Sequence, residues 1–175
     1  MRTQQKLIVI SGAPATGKTT LSAELSALLN IACLNKDAIK ERLYELMELS
    51  TLEDSRRVGL MAFKLFLHLI EIQLQRGVDL IIESPFAVPG DNEMLAAWQE
   101  QYGLRLICIE CTVDPKIRAT RFETRPRHAS HHDTDRMLVD QPMDTSTLLS
   151  LPGEVIRVDT NRPNNEVVSE VLAAI

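Results

Sequence analysis

The chain predicts an α/β domain built around a mostly parallel sheet, and two observations carry that expectation. Short β-branched apolar runs alternate along the whole chain with stretches whose apolar residues recur at helical spacing. The runs are apolar throughout, as suits strands covered on both faces. With 175 residues, the chain is near the commonest size of a single domain and long enough to bury about two thirds of its unfolded surface.

The elements follow in order. "KLIVIS" (6–11) is a strand ended by Gly12 and Pro14. Residues 18–29 place Leu21, Leu25, Leu28 and Leu29 on a helix, and "IACLN" (31–35) is a second strand. Residues 38–48 and 53–75 are helices, the second with Val58, Met61, Ala62, Leu65, Leu69 and Ile72 on one stripe and stopped by Gly77. "VDLIIES" (78–84) is the third strand, 91–102 a helix closed by Gly103, and "LRLICIE" (104–110) the fourth strand. Asp114 caps and Pro115 opens the next helix. "EVIRVDT" (154–160) is the fifth strand and 165–174 the last helix. Trp98 falls on a helix expected to be peripheral.

Composition narrows the function. A formal charge of −5 argues against broad electrostatic binding to duplex nucleic acid. No signal peptide is expected at the start, and no apolar stretch is expected to approach the roughly 20 residues of a membrane span. Cys33, Cys108 and Cys111 are too few for a disulfide framework, which suits a cytoplasmic protein. In "CIEC" the two sulfurs lie on a strand at a spacing that points them to opposite faces, so buried cysteines are expected rather than a metal pair.

"GAPATGKT" fits G-x-x-x-x-G-K-[ST] between a strand and a helix. Gly12, Ala13, Pro14, Ala15, Thr16, Gly17, Lys18, Thr19 and Thr20 are therefore the candidate nucleotide cradle. Gly12 and Gly17 let successive N–H groups turn toward a phosphate, and the helix start adds the positive end of its dipole. Lys18 would reach the β- and γ-phosphates, and the Thr19 hydroxyl would ligate Mg²⁺. Two acidic residues stand at carboxyl ends of strands, where parallel sheets concentrate their chemistry. Asp37 is the N-cap of the helix that follows, a general base for an attacking hydroxyl, or both at once. Lys40, one turn on, shares its side. Glu83 ends a strand and is either an exposed strand end or the acidic group that holds Mg²⁺.

Residues 118–133, "RATRFETRPRHASHHD", admit three readings: a metal site, a nucleic-acid patch or a lid over a phosphate donor. Arg118, Arg121 and Arg125 are spaced three and four apart on the expected helix and share one face. Arg121 and Arg125 are the candidates for phosphate contact, and Arg118 for stacking on adenine or facing solvent. His128, His131, His132 and Asp133 have the residue types of a zinc or iron site. The arginines around them would repel a dication, so ordering of the lid or contact with substrate is the stronger role for the histidines.

Over Lys6 to about Thr160 the successive blocks "LIVISGAPATGKTTLSAEL", "NKDAIKERL", "DLIIESPF", "IECTVDPKIRATRFETRPRHASHHD" and "VIRVDT" resemble a family of small P-loop kinases, described as AAA-type ATP-binding proteins or predicted kinases. The family is similar to the kinase domain of polynucleotide kinase, to chloramphenicol phosphotransferase and, more remotely, to zeta toxins. The resemblance implies a single P-loop NTPase domain over residues 1–175. It also implies a five-stranded mostly parallel sheet, an arginine-rich lid over about 118–142, ATP with Mg²⁺, and phosphoryl transfer to a hydroxyl. Asp37 falls on the family's catalytic acidic position, and Glu83 where relatives carry Asp or Glu. Arg121 and Arg125 hold the spacing R-x-x-x-R. Arg127, His128, His131 and Asp133 fit R-H-P-G-H-x-D, with Ala129 and Ser130 in place of Pro-Gly and His132 at the variable position. Lys40 stands where relatives more often have arginine.

These residues make a kinase with a small hydroxyl-bearing acceptor the leading expectation. Lys18, Asp37, Arg121 and Arg125 would act in catalysis, while Lys40, Arg127 and His128 would hold the acceptor. The acceptor pocket is expected between residues 38–70 and the loop after Glu83, including Phe86. A 5′-hydroxyl polynucleotide kinase is the alternative within the same chemistry, disfavoured by the acidic balance and by aromatics at 4%. A nucleotide-binding regulator or slow ATPase is the alternative outside it. ATP rather than GTP rests on the resemblance, since "NKDA" lacks the spacing of a guanine-reading N-K-x-D.

Overall fold

The computed structural model describes residues 4–126, 128–131 and 151–175. Arg127, His132 and Asp133, named above, lie outside the described residues, as does the lid beyond His131. Five strands, β1 (Lys6–Ser11), β2 (Cys33–Asn35), β3 (Leu80–Glu83), β4 (Arg105–Thr112) and β5 (Glu154–Asp159), form one sheet in the order β2-β3-β1-β4-β5. Every pairing is parallel. The helices are α1 (Lys18–Leu29), α2 (Lys36–Leu46), α3 (Leu52–Gln75), α4 (Asp91–Tyr102), α5 (Pro115–Thr124) and α6 (Asn164–Ala174), with a 3₁₀ turn at Ala129–His131.

Period-two alternation along the strands splits the core into two layers. Leu7, Val9, Leu80, Ile82, Leu106 and Cys108 face α3 and α4. Ile8, Ile10, Ile81, Ile107, Ile109 and Cys111 face α1 and α6. Cys108 and Cys111 thus lie on opposite sides of the sheet, and burial pushes both thiols up to about 12. Trp98 belongs to the first layer with 4% of its surface exposed, on the sheet-facing side of α4.

The longest helix brings a correction. α3 is long and apolar enough to cross a membrane by length and composition, contrary to the expectation from the sequence. In this fold its stripe of Val58, Ala62, Phe66, Ile70 and Leu74 is buried, while Leu60, Met61 and Leu65 are exposed. A Thr51–Asp54 capping box starts it and Gly77, at φ +69°, ends it.

The strand order places the site. β1 is flanked by β3 on one side and β4 on the other, so the connections after β1 and β3 leave in opposite directions. The crevice that opens at the carboxyl end of β1 is where ligands collect in such sheets.

Candidate active site

The loop between β1 and α1 occupies that crevice. Gly12 has φ +138°, and a Cβ on it would stand 2.4 Å from the Cys111 carbonyl oxygen and 2.8 Å from Thr16 Oγ1. Only glycine lets the loop leave β1 this close to β4. Ala15 and Gly17 also have positive φ. Lys18 folds back so that its ammonium donates to the Ala13 carbonyl at 2.9 Å, and Thr16 donates to the same carbonyl. Lys18 is 8% exposed, and burial lowers its pKa from the ordinary lysine value, an effect that Glu83, Cys111 and Asp37 partly counter. α1 starts without a side-chain cap and without an acidic residue in its first turn, which leaves its N–H groups to an anion.

Glu83, at the end of β3, is 5% exposed, so it is not an exposed strand end. Its Oε1 accepts from the Thr19 hydroxyl at 2.7 Å. Its Oε2 accepts from Ser22 Oγ at 2.7 Å and from Asn35 Nδ2 at 2.6 Å. Three donors keep this buried carboxylate solvated by protein. Because Thr19 gives its hydrogen to Glu83, its oxygen lone pairs face away from the carboxylate. A hard hydroxyl oxygen of that kind suits Mg²⁺, which takes one or two protein oxygens together with substrate phosphates. Thr19 and Glu83 therefore fit a magnesium–nucleotide site. Among the described residues no cluster of three His, Cys, Asp or Glu side chains suits a metal held by protein alone.

Asp37 sits in the first turn of α2, and the helix begins two residues earlier than expected. Asn35, not Asp37, is the N-cap: its side chain accepts from Ala38 N–H at 2.9 Å. Relieved of capping, Asp37 pairs with Lys36 at 2.7 Å and leaves 46% of its side chain exposed. Burial alone would raise its pKa, but Lys36, with His131 and Lys18, holds it below the usual aspartate value. The carboxylate is thus ionised at neutral pH and close enough to Lys18 to feel its charge.

The arginines divide. α5, capped by Asp114, ends at Thr124, so Arg125 lies just past the helix in an extended conformation rather than on the shared face expected. Arg121 donates to the Thr160 carbonyl at 3.0 Å and to Thr160 Oγ1 at 3.3 Å. Thr160 Oγ1 in turn donates to the Thr16 carbonyl at 2.8 Å, tying Arg121 to the phosphate loop. Arg121 and Arg125 line an open cleft of about 380 Å³ with Ala15, Gly17, Thr20, Thr160 and Asn164. Arg118 is half-buried and does not line it.

The histidines turn to α2. His131 Nε2 donates to Glu41 Oε1 at 2.8 Å. His128 Nδ1 accepts from the Ser130 N–H at 3.2 Å, which leaves the proton on Nε2, 3.4 Å from Glu45 Oε1. Glu41 and Glu45 are one helical turn apart and hold both histidines of the turn. Lys40, expected at the acceptor, is 4% exposed; its ammonium donates to Ser55 Oγ at 2.9 Å, and Ser55 donates to the Ser130 carbonyl. Lys40 and His128 thus brace the 128–131 turn against α2 and α3. Phe86 is also reassigned: it is 3% exposed and packs on Phe66 with ring centroids 6.4 Å apart, inside the core.

Sequence reading missed Ser22, Asn35, Ser55 and Thr160. Ser22 follows Thr19 by one turn of α1, and Thr160 ends a strand beside the loop; both positions are visible in the sequence once the strand order is known.

An AAA domain family model matches residues 7–148. A protein from Chloroflexus aurantiacus, provisionally assigned as a kinase, is 30% identical over 99% of this chain and 100% of its own, with a TM-score of 0.75. Shikimate kinase from Aquifex aeolicus is 20% identical, covering 96% of this chain and 94% of its own, with a TM-score of 0.57. A gluconokinase from Sinorhizobium meliloti is 18% identical, covering 98% and 92%, with a TM-score of 0.56. These last two share the fold. No curated protein matches the chain.

Proposed function

Because the chain belongs to the AAA domain family of small P-loop kinases, we propose that it transfers the γ-phosphoryl group of ATP to a hydroxyl of a small-molecule acceptor, with Asp37 as general base. The observation that carries this reading is the pairing of a built phosphate loop with an uncapping, partly exposed Asp37 beside it.

The geometry supports one division of labour among these residues. Loop N–H groups and Lys18 cradle the phosphates, and the cleft lined by Arg121 and Arg125 takes the rest of the nucleotide. Thr19, with Glu83 behind it, would hold Mg²⁺, which would neutralise phosphate charge there. Asp37 accepts the proton of the acceptor hydroxyl as its oxygen bonds to the γ-phosphorus and the bond to the β,γ-bridging oxygen breaks, releasing ADP. Arg125, free of the helix and exposed, follows the charge that develops on the transferred group. The brace of Glu41, Glu45 and Ser55 holds the 128–131 turn over α2 and closes the acceptor side.

The test is a mass-spectrometric screen of cell metabolites and short oligonucleotides with ATP and Mg²⁺, reading a gain of one phosphoryl group. A phosphorylated small molecule is the expected result. Nucleotide binding with altered partner affinity and no phosphorylated product would replace the kinase reading with a regulator. A product found among oligonucleotides alone would move the acceptor to nucleic acid.

A further inference from the structure

We infer that Asn35 is a positioning residue that ties the acceptor side of the site to its phosphate side, so that Mg²⁺–ATP at the loop fixes the start of α2 through one amide. The inference rests on the kinase reading above. Asn35 and Glu83 are register partners on the adjacent parallel strands β2 and β3, so their side chains stand next to one another. The amide is used at both ends. Nδ2 donates to Glu83 Oε2 at 2.6 Å, and Oδ1 accepts the Ala38 N–H that opens α2. These two partners fix which end is oxygen and which is nitrogen.

Capping alone does not require this residue. Ser and Asp cap as well as Asn does. Serine is too short to span from the cap to Glu83, and an aspartate carboxylate has no hydrogen to give. The donor end of Asn35 therefore serves Glu83, not the helix. Glu83 carries the Thr19 hydroxyl on its other oxygen, and Ser22 holds Oε2 from α1. A carboxylate gripped on both oxygens by three donors and 5% exposed passes on a displacement to its partners. Fixing Thr19 therefore fixes Glu83, and through Asn35 the turn that bears Asp37. The acceptor base is set when the metal–nucleotide arrives.

Hydrogen exchange on the full chain reads this directly, with Asn35→Ser and Asn35→Asp compared with wild type, each with and without Mg²⁺–ATP. Both variants retain a capping oxygen; the first removes the reach to Glu83 and the second replaces the donor with a like charge. In wild type, Mg²⁺–ATP should slow exchange across residues 12–20 and also across 36–40, the latter by about tenfold, as expected for one charge-assisted hydrogen bond. In the variants the slowing at 12–20 should remain and that at 36–40 should vanish. Persistence of the slowing at 36–40 in both variants would show direct contact with the nucleotide and overturn the tie. So would a wild type protected at 12–20 and unchanged at 36–40. Unfolding of both variants would make Asn35 a determinant of the fold and overturn it as well. A wild type with no slowing at 12–20 would overturn the nucleotide reading itself.

Discussion

Replacing Glu83 by glutamine separates what this carboxylate does for the fold from what it does for the metal. The carboxylate accepts three hydrogen bonds, two on Oε2 and one on Oε1. A hydrogen bond to a charged acceptor is worth about 1.5–3 kcal/mol, and a neutral one about 0.5–1.5 kcal/mol. Glutamine with its oxygen at the Oε2 position keeps two of the three, now neutral, and turns an NH₂ toward Thr19. The gross loss is about 3–6 kcal/mol. Against it stands relief from burying an ion at 5% exposure, itself several kcal/mol. The two nearly cancel, so Tm should move by only a few degrees. The metal has no such compensation: the Thr19 hydroxyl must now accept from the amide, which spends a lone pair that Mg²⁺ would use. Loss of such a supporting partner costs about 10–100-fold in metal affinity. Calorimetric titration with ATP, with and without Mg²⁺, should therefore show weakening of that size only when the metal is present. A variant that binds Mg²⁺–ATP as tightly as wild type would refute the assignment of Thr19 and Glu83.

The other predictions concern the acceptor side. Asp37→Asn should lower phosphoryl transfer by about 10²–10⁴-fold and leave ATP affinity within a factor of a few, and full transfer with a confirmed acceptor would remove Asp37 as the base. Ser55→Ala deprives the Lys40 ammonium of one partner and the Ser130 carbonyl of its donor in a fully buried place, at a cost of about 1–3 kcal/mol. Thermal melting should show a fall of roughly 2–12 °C. Burial lowers the His131 pKa from its ordinary 6.5, against the pull of Glu41 and Asp37. Between the lowered folded value and about 6.5 the unfolded chain binds more protons, so stability contributed by neutral His131 is present above 6.5 and lost as pH falls through that window. The difference in Tm between wild type and His131→Gln should shrink on acidification; a difference independent of pH would refute it. Arg125→Ala should reduce transfer by at least tenfold without changing Tm by more than about 2 °C, because its side chain is exposed and past the helix.

The sheet and the phosphate loop were legible because their signals are local. A buried strand, two glycines and a lysine at fixed offsets specify the turn within eight residues. Glu83 was legible as an acid at a strand end, yet its partners were not, since Ser22 and Asn35 lie 61 and 48 residues away. The α2 start was misplaced for a related reason. "NKD" offers two capping residues, and the choice of Asn35 depends on a neighbour across the sheet that has no local signature. Trp98 and Phe86 show the same limit: their residue types allow a core or a pocket, and only the face of α4 and the path of the chain after β3 assign them to the core. Lys40 was expected at the acceptor because it lies one turn from Asp37 on the same side; Ser55, fifteen residues on, supplies a partner that makes its burial tolerable.

The phosphate loop has a long-range dependence that bears on how the protein comes to exist. Its first glycine is pressed against the Cys111 carbonyl, and its Thr16 carbonyl is held by a hydroxyl 144 residues further along. A ribosome-bound chain that has reached residue 100 already carries the whole motif, but neither the β4 wall nor Thr160 that shape it. Pairing so distant in sequence is slow to form, and until it forms the edge of the apolar β1 strand that β4 covers is open to other chains. Fragments ending before β4 should neither bind nucleotide nor stay dispersed. The loop is made before the partners that give it its working shape.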